Sequence, residues 1–163
     1  MTEENLNNTE NVDGIVEEAS ELNEADAALE GFGISADRTA ASASSHGIEA
    51  IEVARVAAYA ASEKKADDIV VLDLTELSDV CDYFVIATGS NRRLADAVID
   101  EVEERVAKSC NEHPFSIEGR DEGSWILMDY GSVLVHVFTP EARDYYRLEK
   151  LWGDAPTLPL DLS

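Results

Sequence analysis

Apolar residues recur at spacings of three and four through Ile48, Ile51, Ala54 and Ala58, which predicts a helix starting near Gly47. Lys64 and Lys65 stand near its end, where cations suit the helix dipole, and Asp67 and Asp68 break the pattern. Ile69-Val70-Val71-Leu72-Asp73-Leu74 is a short apolar run rich in β-branched residues and reads as a buried strand. A polar connection leads to a second such run, Tyr83-Phe84-Val85-Ile86-Ala87-Thr88. Strands that are apolar on both faces need cover on both sides, as in α/β sheets. Thr88-Gly89-Ser90-Asn91 then turns into a helix that Ser90 or Asn91 can cap. Leu94, Val98, Val102 and Val106 form its apolar stripe as far as about Cys110. Phe115-Ser116-Ile117-Glu118-Gly119, after Pro114, fits a short edge strand. Trp125-Ile126-Leu127-Met128-Asp129 and Val133-Leu134-Val135-His136-Val137-Phe138 pair as a hairpin around Tyr130, Gly131 and Ser132. Thr139-Pro140-Glu141 starts a last helix that runs through Trp152 and ends at Gly153. The order α-β-β-α-β-β-β-α describes an α/β (α+β) domain: a mixed five-stranded sheet with flanking helices.

Residues 1–46 follow a different pattern. They hold eleven acidic residues and one basic residue, Arg38, so they contribute -10 of a net charge of -23. Leu6, Ile15, Leu22, Leu29, Phe32 and Ile34 are scattered among them. Low hydrophobicity with high charge cannot offset chain entropy by burial. The expectation is a disordered acidic tail with a transient helix between Val16 and Glu30, then a folded domain over 47–153, then a short tail over 154–163.

Charge changes the picture of the partners. The 117 residues after the tail still hold -13, so the folded part is acidic in its own right. Such a surface is repelled by the phosphate backbone that dominates nucleic-acid binding, which argues against direct DNA contact. Near RNA it would have to grip a basic protein. Two cysteines outside any CxxC pattern make no disulfide framework and fit a reducing cytoplasm. No apolar run approaches membrane-spanning length.

Candidate chemistry is sparse. His46, His113 and His136 are far apart and form no metal-ligand cluster. Cys81 lies between Val80 and Asp82, and an adjacent acid would raise a thiol's pKa, so it reads as a small packed residue rather than a nucleophile. Thr88-Gly89-Ser90, with Arg92 and Arg93 nearby, could cradle a phosphate, yet neither GxGxxG nor GxxxxGK[ST] is present. Asp73, Asp79 and Asp82 invite a metal-dependent nucleotidyl-transfer reading, but that chemistry uses converging carboxylates, commonly Asp-x-Asp, and Asp73 is followed by Leu74-Thr75. What remains is a set of aromatics beside charges, the composition of interface hot spots: Trp125, Tyr145, Tyr146, Lys150 and Trp152. A nucleotide-binding domain and an acidic dimerisation scaffold are the alternatives to a binding module.

Several blocks together carry a family resemblance. They are Asp68-Ile69-Val70-Val71-Leu72-Asp73, Ser78 with Asp82-Tyr83-Phe84-Val85-Ile86-Ala87-Thr88-Gly89-Ser90, and Ser124-Trp125-Ile126-Leu127-Met128-Asp129-Tyr130-Gly131. Val135-His136-Val137-Phe138 and Tyr145-Tyr146 with Leu148-Glu149-Lys150-Leu151-Trp152-Gly153-Asp154-Ala155 complete the set. In this order and spacing the chain resembles the ribosomal silencing factor family (RsfS, or Iojap). The resemblance implies a nucleotidyltransferase-like fold without the catalytic residues, no cofactor and no metal. It implies docking on the large ribosomal subunit through a basic protein, ribosomal protein fourteen, which blocks an intersubunit bridge and subunit joining. Trp125 is then expected as an apolar anchor, Asp129 as a charge partner and Tyr130 beside the turn. Asp82, Tyr146, Lys150 and Trp152 are further candidates. The aromatic surface also fits a homodimer of the free protein.

Overall fold

The computed structural model describes residues 49–162. The acidic segment over 1–46, with its expected helix, lies outside the described residues, as do Gly47 and Ile48. Nine elements follow: α1 (Ala50–Glu63), β1 (Asp67–Asp73), β2 (Tyr83–Thr88), α2 (Arg92–Cys110), β3 (Ser116–Glu118), β4 (Trp125–Asp129), β5 (Val133–Phe138), α3 (Pro140–Tyr146) and α4 (Leu148–Leu151).

The strands form one mixed sheet in the order β1-β2-β5-β4-β3. Only β2 and β5 are parallel; the other three pairings are antiparallel. The β2–β5 crossover explains why these two central strands are apolar throughout. Side chains alternate between faces, so each strand feeds two layers.

The first layer is α1 and α2. Val71, Val85, Ala87, Ile126, Met128, Val133, Val135 and Val137 meet the stripe Ala95, Val98, Ile99, Val102 and Val106 of α2. The buried side of α1 is mostly alanine (Ala54, Ala57, Ala58, Ala60, Ala61), and these small side chains let it lie close to both α2 and the sheet. Each buried valine or isoleucine here contributes ~1.5–3 kcal/mol by leaving water. Asn91 caps α2: its side-chain oxygen accepts the Leu94 N–H at 2.9 Å. Opposite charges line the wet face, with Lys108 reaching Glu104 and Arg120 of the β3–β4 loop bridging Asp96 and Asp100.

The second face of the sheet carries Leu72, Phe84, Ile86, Leu127, Leu134, His136 and Phe138, all buried. Its cover is slighter. The expected single C-terminal helix is two short ones, because Arg147 adopts a left-handed conformation with φ +47°. The Arg147 N–H closes α3 on the Arg143 carbonyl, and the chain restarts in a new direction. That break buries Leu148 and brings Trp152 edge-on to Phe84, with ring centroids 5.7 Å apart.

Two further expectations are corrected. Asp67 and Asp68 do not separate helix from strand but open β1, with a register shift before Val70 and φ +48° at Asp68. The segment expected as a tail after residue 153 joins the sheet: Leu72 bridges Thr157, the Asp73 N–H donates to the Pro156 carbonyl, and the Leu158 N–H donates to the Val71 carbonyl. Leu158 and Leu160 pack against the core. Thr139 does sit at the N-cap of α3 before Pro140, but its side chain makes no capping bond.

Candidate functional site

Trp125 begins β4 directly opposite Phe138 and diagonal to His136, so all three share the second face. Its indole lies 5.0 Å from the Phe138 ring, 4.6 Å from Tyr146 and 5.9 Å from His136. Its Nε1 donates to His136 Nδ1 at 3.1 Å. Tyr145 stands edge-on to Tyr146 at 5.0 Å. Exposure rises outward through this stack: His136 is fully buried, Trp125 is half-buried, Tyr146 is 45% exposed and Tyr145 79% exposed. The site is a graded aromatic patch, closed at its base and open at its rim.

Local sequence explains the placement. Gly119 has φ +88°, and a Cβ there would overlap the Trp125 carbonyl oxygen, so the β3–β4 loop folds tightly over the start of β4. On the other side, α3 is tied down by Arg143, which donates to Glu149 Oε1 and to the Thr88 hydroxyl, both at 2.8 Å. Tyr145 and Tyr146 end this helix and hang over the sheet.

The seven residues expected at the site divide into groups. Trp125 and Tyr146 touch one another at the β4 start. Lys150 is exposed on α4, where with Arg143, Arg147 and Thr88 it lines an open hollow of about 480 Å³. Asp82, Asp129 and Tyr130 lie at the opposite end of the strands, because Tyr83 pairs with Val133 and Asp129 with Leu134, whereas Trp125 pairs with Phe138. At ~3.3 Å per residue this separates the two groups by about 13 Å.

Three of the seven, Asp129, Tyr130 and Trp152, are buried in the free protein. Asp129 accepts the Gly131 N–H at 2.8 Å and so holds the hairpin turn, whose loop has positive φ at Gly131 only. Tyr130 packs on the α1–α2 side, and burial drives its hydroxyl pKa above the usual tyrosine range. Trp152 roofs Phe84. Asp82 is half-buried, and desolvation followed by the neighbouring Asp73 raises its pKa.

The two residues that pattern reading did not single out are His136 and Arg143. Alternation placed His136 among valines on a strand, and the only hint was a lone polar residue inside an apolar run. Burial pushes its imidazole pKa down to about 3, so it is neutral. Thr88-Gly89-Ser90 is engaged internally: the Gly89 N–H donates to the Phe138 carbonyl and Thr88 receives Arg143. Among the described residues no group of three His, Cys, Asp or Glu side chains is placed to hold a metal, and no helix is long and apolar enough to cross a membrane.

Comparison with known proteins decides the family. Residues 47–163 match the model described as ribosomal silencing factor during starvation. The chain belongs to the ribosomal silencing factor family. It is 41% identical to ribosomal silencing factor RsfS of Bacillus subtilis over 111 residues, covering 68% of this chain and 93% of the relative. It is 34% identical to the chloroplastic protein Iojap of Zea mays over 69% of this chain and 48% of that protein. A mouse relative, mitochondrial assembly of ribosomal large subunit protein 1, is 35% identical over 55% of this chain and 40% of its own. A crystal structure from Chromobacterium violaceum superimposes with a TM-score of 0.62 at 35% identity, over 65% of this chain and 88% of that one. The silencing-factor match includes the C-terminal segment that pairs with β1.

Proposed function

We propose that this silencing factor acts by obstruction in the cytoplasm. The graded aromatic patch at Trp125 and Tyr146 docks on the large ribosomal subunit, on a basic protein there, and the body of the domain then blocks approach of the small subunit. The partner suggested by the family resemblance is ribosomal protein fourteen. No bond is made or broken in this mechanism.

The observation that carries the reading is the exposure gradient around Trp125. A rigid aromatic with a buried base and an open edge is the form that interface anchors take, because little side-chain entropy remains to be lost. The acidic domain favours a basic partner through steering and selectivity rather than raw affinity. Lys150, on α4, and Asp82, at the far end of the strands, lie away from the patch and would make separate, outlying contacts. Asp129, Tyr130 and Trp152 act from within by holding the turn and the roof over Phe84. The ribosomal names of the bacterial and mouse relatives support this setting.

Trp125→Ala should weaken co-sedimentation with large subunits by ~30-fold, the usual ~2 kcal/mol for a central aromatic. In sucrose gradients the parent protein should raise the free-subunit fraction and Trp125→Ala should not. Undiminished binding by a folded Trp125→Ala protein would remove the patch from the docking surface.

A further inference from the structure

We propose that His136 is a positioning residue for docking: its Nδ1 holds the Trp125 indole in the one orientation that meets the partner. This rests on the docking reading above.

His136 sits at the centre of β5, opposite Leu127 and beside Ile86. It is fully buried, its ring 4.5 Å from that of Phe84 and stacked at 6.2 Å on Phe138. An aliphatic residue would fill this place with no polar atom to satisfy, as its strand neighbours Val135 and Val137 do. The imidazole instead brings two nitrogens into an apolar layer. Indole Nε1 is a donor only, so the 3.1 Å contact to Trp125 requires Nδ1 to be the acceptor and puts the imidazole proton on Nε2. That Nε2–H is buried without a hydrogen-bond partner. A buried unsatisfied donor lowers stability. The residue thus carries a cost at one nitrogen and makes one hydrogen bond at the other, to a half-exposed tryptophan.

That bond does something ring contact alone does not. Tyr146 and Phe138 hold the indole by ring contact, which tolerates either edge of the indole turned inward. The torsion that flips it is broad in energy. A directional bond to the five-membered ring selects which edge faces the protein and which faces out. Fixing the ring before encounter removes an ordering cost from binding. His136 is therefore tied to affinity through Trp125, not through any contact of its own.

The test uses the full chain. The protein has two tryptophans, hence two indole N–H resonances, and Trp125→Phe assigns one of them. In His136→Leu the Trp125 resonance should move and broaden while that of Trp152 stays. His136→Asn, whose side-chain oxygen stands near the place of Nδ1, should keep the Trp125 resonance closer to its parental position. With large subunits, His136→Leu should bind ~5–10-fold more weakly in the parent background, and no more weakly than the single variant in the Trp125→Phe background, where the N–H is absent. Equal losses in both backgrounds would mean a general packing effect and overturn the proposal, as would an unmoved Trp125 resonance. If Trp125→Ala itself binds normally, the docking reading fails first and takes this one with it. If His136→Leu does not fold, His136→Asn carries the same cycle, with parental affinity expected and a loss equal in both backgrounds refuting.

Discussion

Arg143 offers the sharpest test of how the patch is held. Its side chain is only 12% exposed, and its guanidinium donates at 2.8 Å to both Glu149 and Thr88. One residue of α3 thereby fastens both α4 and the end of β2. Arg143→Met retains the apolar stem and removes the donors. The Thr88 hydroxyl, buried at 5% exposure, loses its partner, at a cost of ~1–2 kcal/mol. Glu149 is 40% exposed and can turn to water, so the ion pair adds only ~0–1 kcal/mol. The total is ~1–3 kcal/mol, or a fall in melting temperature of ~4–15 °C for a domain of this size. Urea unfolding followed by circular dichroism measures the loss, and hydrogen exchange should locate it in α3 and α4. Stability within ~0.5 kcal/mol of the parent would show that Arg143 ties nothing down, and the account of how Tyr145 and Tyr146 are placed would fail with it.

Three other outcomes follow from the geometry. Asp82→Asn should raise the melting temperature at neutral pH: a carboxyl whose folded pKa is raised opposes folding once ionised, so the advantage should vanish as pH falls below the ordinary aspartate value of 3.8. The neutral His136 has the opposite sign. Its folded pKa lies near 3 against 6.5 unfolded, so its contribution is complete above pH 6.5 and is lost as pH falls, which should make the parent more acid-sensitive than His136→Leu in unfolding titrations between pH 6 and 4. Gly119→Ala should destabilise by more than ~2 kcal/mol, since a Cβ would overlap the Trp125 carbonyl and φ is positive; an unchanged denaturation midpoint would contradict the tight loop.

The strands, α2 and the hairpin were legible because their signals are local. Alternation, a 3.6-residue stripe and Gly131-Ser132 state their own geometry. The break at Arg147 was not legible, because no glycine or proline marks it. The non-glycine residue takes the left-handed conformation because Leu148 and Trp152 gain burial when the chain turns. The segment after residue 153 hides its pairing for a related reason. Its two prolines indicate an irregular segment, and only the waiting edge of β1 makes it part of the sheet. At the site, residue type pointed to Trp125 and Tyr146, but no spacing rule shows that Asp129 and Tyr130 lie at the far end of the strands and inside. The role of His136 needed the third dimension altogether, because it depends on which of two ring nitrogens meets a residue eleven positions earlier in the chain.

The pairing of Thr157 with Leu72 has a consequence for how these molecules treat one another. Sheets stick through bare backbone at their margins, and a molecule with two bare margins can propagate into a fibre. Here the Val71–Asp73 end of the β1 margin is already occupied by the chain's own C-terminal stretch, and the opposite margin, β3, is only three residues long. Both margins therefore offer only short stretches of bare backbone for strand-to-strand adhesion. The domain thus limits one common route to clumping.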